Sequence, residues 1–260
     1  MRRTGKGVVL ALLCAALIGC AHKPVWGFDC QTRSAADDFF SRDGTLLAWY
    51  FCELPRLETE CDVPDAEPPP EKTTACDAFN REMTARQALF IESYHELEQL
   101  AVGAYDGEGE WRPMGQRLAV TEIWQSKRLL SVRADGYADW GGAHPIPFSE
   151  TWCFDLESGA FVSVWEMTGR HGELRAALAE ALTEQVEKTP DRFFPDAAQN
   201  AEETLEDAAV FFDGEGVHLI FPVYTLAPYH ARLPELTLEY ESIRPYLNEY
   251  GAKLLEAEGE

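Results

Sequence analysis

The stretch that decides the fold class runs from Gln116 to Met167: QRLAVTEIW (116–124), LLSVRADGYADW (129–140) and PFSETWCFDLESGAFVSVWEM (147–167). In each piece apolar and polar residues tend to alternate, and a period of two sends successive side chains to opposite faces of a strand. Gly141-Gly142 and the Glu157-Ser158-Gly159 turn separate the pieces. Gly159, lacking a Cβ, takes the positive φ of a tight turn at little steric cost. Antiparallel strands are expected here, and they need a helix or a second layer on their apolar face.

Two segments with helical spacing flank this block. Upstream, CDAFNREMTARQALFIESYHELEQLAVGAY (76–105) places Phe79, Met83, Phe90, Tyr94 and Leu97 three, four or seven residues apart, one buried stripe. Thr74 stands where a side-chain oxygen would cap the start. Downstream, GELRAALAEALTEQVEK (172–188) aligns Leu174, Leu178, Ala181, Leu182 and Val186. Further out, LLAWYFCEL (46–54) reads as a strand, and DAAVFFDGEGVHLIFPVYTL (207–226) as a hairpin about Gly214-Glu215-Gly216. Leu236–Tyr240 reads as a last strand, and SIRPYL (242–247) as a helical turn before a frayed, charged end. The expectation is α+β: antiparallel sheets covered by two main helices. Residues 45–170 read as one subdomain, 171–260 as a second, and 20–44 as a loosely packed leader.

The first nineteen residues are set apart as a signal. Arg2, Arg3 and Lys6 precede the apolar stretch Gly7–Gly19, which is shorter than the roughly 20 residues a spanning helix needs. Leu17-Ile18-Gly19-Cys20 resembles a lipobox, with Gly19 small beside the cleaved bond and Cys20 as the lipidated nucleophile. Stable anchoring takes more than one acyl chain, which a diacyl or triacyl Cys20 supplies. Ala21 follows, with no Asp to mark inner-membrane retention, so the periplasmic leaflet of an outer membrane is the expected site where one exists. An ordinary secretory signal with an incidental cysteine is the plainer alternative.

Of seven cysteines, Cys14 leaves with the signal and Cys20 takes lipid, which leaves Cys30, Cys52, Cys61, Cys76 and Cys153. An oxidising compartment favours disulfides. Cys61 and Cys76 flank the Pro-rich excursion 61–76 and would staple its base, while Cys30 and Cys52 would tie the leader to the first strand; other pairings stay open. Cys153 reads as a buried thiol in a strand.

The chain carries 45 acidic against 22 basic residues, a formal net charge of −23. Removing Arg2, Arg3 and Lys6 with the signal takes it to −26. Such a surface repels nucleic acid and anionic lipid and makes a cationic partner electrostatically easy, although solubility alone also accounts for it. The six histidines form no HExxH or comparable spacing, no CxxC is present, and no nucleophile elbow, Walker loop or dinucleotide fingerprint occurs. No cofactor and no metal are expected.

The block SVRADGYADWGGAHPIPFSETWCFDLESGAFVSV and the ending GEGVHLIFPVYTLAPYHARLPELTLEY resemble the extracellular region of RsiV-like anti-sigma factors, found also beside the catalytic domain of PdaC-type peptidoglycan deacetylases. Matching positions are the Gly141–His144 turn, the Asp155–Gly159 hairpin, then Phe221, Pro222, Tyr224, Ala227, Pro228, Tyr229 and Leu236–Tyr240. A glycine of many relatives is replaced where Arg232 and Leu233 stand. The likeness covers residues 45–250 apart from the excursion. It implies an envelope recognition module, lysozyme-binding in the anti-sigma factors. Signalling and deacetylation do not transfer, because neither a sigma-binding segment nor a deacetylase domain accompanies these motifs.

Candidate binding residues follow from the turns. His144 precedes Pro145, which restricts it to extended geometry; it locks the hairpin, faces a ligand, or serves catalysis or a metal, in that order of expectation. Tyr137, Trp140, Tyr229 and His230, with Tyr224, lie in or beside turns, where aromatic rings stack on sugars or anchor a protein interface. The acidic loop Asp106–Glu110 would steer a cationic protein or is simply solvated. The leading functional reading is a non-catalytic, lipid-anchored envelope module for a cationic lysozyme-like protein or cell-wall glycan. The alternatives are a structural lipoprotein and a glycan- or peptide-acting hydrolase.

Overall fold

The computed structural model describes residues 24–256. The signal segment 1–19 and the lipidation at Cys20 lie outside the described residues. Two strands open the fold: β1 (Trp26–Phe40) and β2 (Leu46–Cys61) form one long antiparallel hairpin. A loosely packed leader was the expectation for 20–44; pairing with β2 orders most of it instead. The connecting turn fixes the register. Asp43 accepts from the Thr45 N–H at 3.0 Å, from the Tyr105 hydroxyl at 2.8 Å and from the Ser41 hydroxyl. The Ser41 and Tyr105 hydroxyls, then Thr45, hold the Asp43 carboxyl well below the usual carboxylate range.

That register also overturns the expected disulfides. Cys30 sits opposite Leu57, and Cys52 opposite Ala35. A five-residue stagger separates their Cα atoms by about 17 Å along the strands, whereas a bridge needs roughly 5.5 Å. Cys61 closes β2, half-buried, while Cys76 is buried on the inner side of the first helix; all five described cysteines are free thiols. Burial pushes the Cys30 and Cys52 thiols up to about 12. The Pro-rich excursion is tied instead by Val25 N–H donating to Asp62 at 2.8 Å.

The first helix, α1 (Pro70–Ala104), begins earlier than the periodicity indicated, with Pro70 at its first position, where a missing N–H costs nothing. Thr74 is therefore inside the helix, its hydroxyl donating to the Pro70 carbonyl at 2.8 Å rather than capping the end. α1 carries the chain back to β3 (Met114–Gln125), which pairs parallel to β2. β4 (Leu129–Asp139), β5 (Ile146–Asp155) and the short β6 (Ala160–Phe161) then follow antiparallel. The sheet is thus mixed rather than wholly antiparallel, in the order β1-β2-β3-β4-β5-β6. α1 covers one face through its predicted stripe: Tyr94 packs on Tyr50 at 4.7 Å between ring centres, and Phe79 on Phe154 at 5.2 Å.

The rest of the chain supplies α2 (His171–Lys188), α3 (Ala197–Thr204) and a second, antiparallel sheet of β7 (Ala209–Phe212), β8 (Gly216–Ile220) and β9 (Glu235–Glu239). Leu174, Leu178, Leu182 and Val186 of α2 share one core with Val217, Leu219 and Leu236 of this sheet, and with Leu129 and Cys153 of the first. Cys153 is buried, as expected, and its thiol donates to the Val210 carbonyl at 3.5 Å. Up to residue 256 the last described stretch is ordered rather than frayed: α4 (Tyr240–Ile243) and α5 (Glu249–Leu254) follow, and the Ser126 hydroxyl donates to the Leu254 carbonyl at 2.8 Å. No described helix is long and apolar enough to cross a membrane.

Candidate functional site

Alternation along β4 sets up the site. Leu129, Ser131, Arg133, Asp135 and Tyr137 share the face away from α1, while Leu130, Val132 and Ala134 pack in the core beneath the helix. At one end of this outer face Leu129 joins the second core, and Ser131 accepts from the Phe212 N–H at 2.8 Å. At the other end no described element packs on the sheet. Between the two lies a cleft of about 640 Å³, floored by Asp135, Tyr137 and Pro147 and walled by Tyr229, His230 and Arg232.

Arg133 marks the boundary. It reaches Asp135 at 3.0 Å and Glu235 of β9 at 3.1 Å, so it clamps the two sheets. Burial works against its charge, but Asp135 and Glu235 more than offset this and hold its proton more firmly than usual. Glu235 passes the network on to His218 at 2.8 Å, and Asp213 stands 3.0 Å from the other imidazole nitrogen. Burial disfavours the Asp213 charge, yet the Gly216 and Glu215 N–H groups and His218 together keep its carboxyl below the usual range.

The two motif segments that carried the family resemblance meet at the rim. His144, from the turn between β4 and β5, stacks on Tyr229 with ring centres 3.7 Å apart. Its Nε2 lies 3.1 Å from the Tyr224 hydroxyl and its Nδ1 3.2 Å from the Pro145 carbonyl. Two residues of the facing loop, Tyr224 (φ 68°) and Arg232 (φ 62°), have left-handed backbone, which costs a side-chain-bearing residue of order 1–3 kcal/mol and clusters at binding and switch regions.

Of the sequence candidates, Tyr137, Tyr229 and His230 line the cleft, and His144 braces its wall through Tyr229 and Tyr224. Trp140 is exposed beyond the end of β4 and does not line it. The acidic loop 106–110 is solvated, with Asp106 accepting from the Glu108 N–H. Sequence reasoning missed the open part of the face, made by Trp49, Phe51, Arg117 and Gly115. A Cβ on Gly115 would stand 2.2 Å from the Trp49 ring, so glycine there lets the indole lie across the sheet. Trp49 then meets Tyr137 edge-to-face at 6.2 Å, and the Arg117 guanidinium lies 5.5 Å over Phe51. The only available signal was that Trp49 and Phe51 are one period apart, on opposite parity to Tyr50.

Among the described residues no group of three or more His, Cys, Asp or Glu side chains is arranged to hold a metal ion. A second cleft, of about 550 Å³ between Trp124, Tyr240 and Leu255, takes in Gly214 and Tyr240 of the motif segments but none of the candidate binding residues.

No family model and no curated protein sequence matches the chain. Solved structures do. A DUF3298-family protein from Pseudomonas aeruginosa aligns at 15% identity over 86% of this chain and 95% of its own, with a TM-score of 0.55. A member of the same family from Bacteroides fragilis aligns at 13% identity over 87% and 96%, with a TM-score of 0.60. Across nearly its whole described length, the chain has the fold of DUF3298-family proteins.

Proposed function

We propose that this protein is a non-catalytic binding module of the bacterial cell envelope, held by lipid on Cys20 and presenting the cleft between its two sheets to a cell-wall glycan or a cationic lysozyme-like protein. One observation carries the reading. The Gly141–Pro145 turn and the Pro222–Arg232 segment, both parts of the motifs shared with envelope recognition regions, come together through the stacked His144 and Tyr229 at the rim of that cleft. Glycoside hydrolysis uses two carboxyl groups about 5–9.5 Å apart across the scissile bond. Among the described residues Asp135 is the one acidic residue lining this cleft, and Arg133 already engages it. Binding suits such a lining better than acid–base catalysis does.

The test incubates the full chain, in detergent, with purified peptidoglycan sacculi and separately with lysozyme, and measures retention and soluble product together. Retention without product is expected. Release of sugar or peptide fragments at a rate dependent on the protein would convert the module into an enzyme.

A further inference from the structure

The open face beside the cleft sets unpaired basic side chains next to aromatic rings. Its two acidic groups nearest the cleft are occupied: Asp135 by Arg133, and Asp139 by Arg112 at 3.1 Å and by the Gly141 N–H. Among the described residues, the basic side chains of Arg117, Arg232 and His230 make no ion pair, although acidic residues outnumber basic ones two to one. Arg117 is exposed and pairs in register with Tyr137; Tyr137 in turn lines the cleft together with Arg232 and His230. Beside them Trp49 and Tyr137, both half-buried, present an aromatic surface held by the bare backbone of Gly115. The remaining free acids on this face, Asp38 opposite Trp49 and Glu53 opposite Ser34, lie along its β1–β2 margin.

Flat aromatic rings take the C–H faces of sugars, and guanidinium groups take carboxylates. We infer that the open outer face of the first sheet binds a saccharide chain bearing carboxylates, its rings on Trp49 and Tyr137 and its acidic groups at Arg117 and Arg232. This rests on the binding-module reading and narrows it: the unpaired Arg117 and Arg232 beside the aromatic surface suit a chain that carries carboxylates.

The test measures affinity of the full chain for three probes: soluble uncross-linked glycan strands of peptidoglycan, the same strands with carboxyl groups reduced to alcohols, and lysozyme. Native strands are expected to bind, and reduced strands at least about tenfold more weakly. R117E and R232E, both on exposed side chains, should weaken native-strand binding by a similar factor without moving the melting temperature. W49L should weaken both native and reduced strands. Should W49L fail to fold, the two arginine variants decide alone. Equal affinity for native and reduced strands, or charge reversals without effect, overturns the assignment. Lysozyme binding with no strand binding overturns it while leaving the module reading standing; if lysozyme, strands and sacculi all fail to bind, both fall.

Discussion

His144 is held by two different forces at once. Its ring stacks on Tyr229, and its two nitrogens face the Tyr224 hydroxyl and the Pro145 carbonyl. In the neutral ring one nitrogen accepts and the other donates, so Nδ1–H to Pro145 and Tyr224 O–H to Nε2 satisfy both together. The contact also restrains a loop whose Tyr224 backbone is left-handed. Removing the ring forfeits a stacked pair and a hydrogen bond, about 1–2 kcal/mol in all. H144A is therefore expected to lower the melting temperature by several degrees, read by circular dichroism. If His144 only braces the wall, H144Q recovers part of that loss; an unchanged melting temperature in H144A would remove the brace. This residue was legible because Gly-Gly-Ala-His-Pro announces a turn by composition. Trp49 was not: LLAWYFCEL has apolar or aromatic side chains on both faces, so α1 on one side and the platform on the other look alike in sequence.

At the scale of elements, what the sequence disclosed were segments whose pattern is local. α1 and α2 show their stripes because each buries one side against a sheet. β1 does not, because WGFDCQTRSAADDFF sends few side chains into the core and gains its order from ladder bonds to β2, a partner remote from any local pattern. α3 escaped notice for a related reason, since its buried residues are Ala197, Ala201 and Thr204, too small to mark a stripe. The free cysteines give this scale a direct test. A bridge in this hairpin would contribute about 2–4 kcal/mol; with none, adding reductant is expected to leave the melting temperature unchanged, and a drop of several degrees would contradict the register. Asp155 gives another, because it ties the β5–β6 turn to α5: it accepts from Arg128 at 3.0 Å and from the Tyr250 hydroxyl at 3.1 Å. Burial opposes its charge, but the Glu157 N–H, Ser158 and Arg128 outweigh that and keep the folded carboxyl below its usual value. A depressed folded-state value means the stabilisation is complete above the unfolded value near 3.9 and disappears as pH falls through the folded one. D155N should cost about 2 kcal/mol at pH 7 and flatten the loss of stability below about pH 4, measured by denaturant melts across pH. A variant whose acid limb matched the native one would place the acid sensitivity elsewhere.

For the whole molecule, the proposed anchor at Cys20 leads into one end of β1, while the open face borders the other. Cys20 precedes Trp26 by six residues, a reach of at most about 21 Å. Trp26 opens β1 opposite Cys61, and Asp38, opposite Trp49, lies twelve residues further along, about 40 Å in extended strand. On the proposed tether, lipid at Cys20 would hold the far end of the hairpin towards the bilayer and leave the Trp49–Tyr137 face directed towards the wall. The protein's own surface adds no affinity for anionic lipid, since its net charge is strongly negative. Two consequences separate tether from module. C20A should move the protein from the membrane to the soluble fraction on cell fractionation, because no other described feature replaces the acyl chains. The same variant should bind sacculi with unchanged affinity, because the substituted residue is remote from the face. Membrane association that survives C20A would reject the tether, and sacculus binding that fails in the released form would show that the bilayer itself forms part of the site.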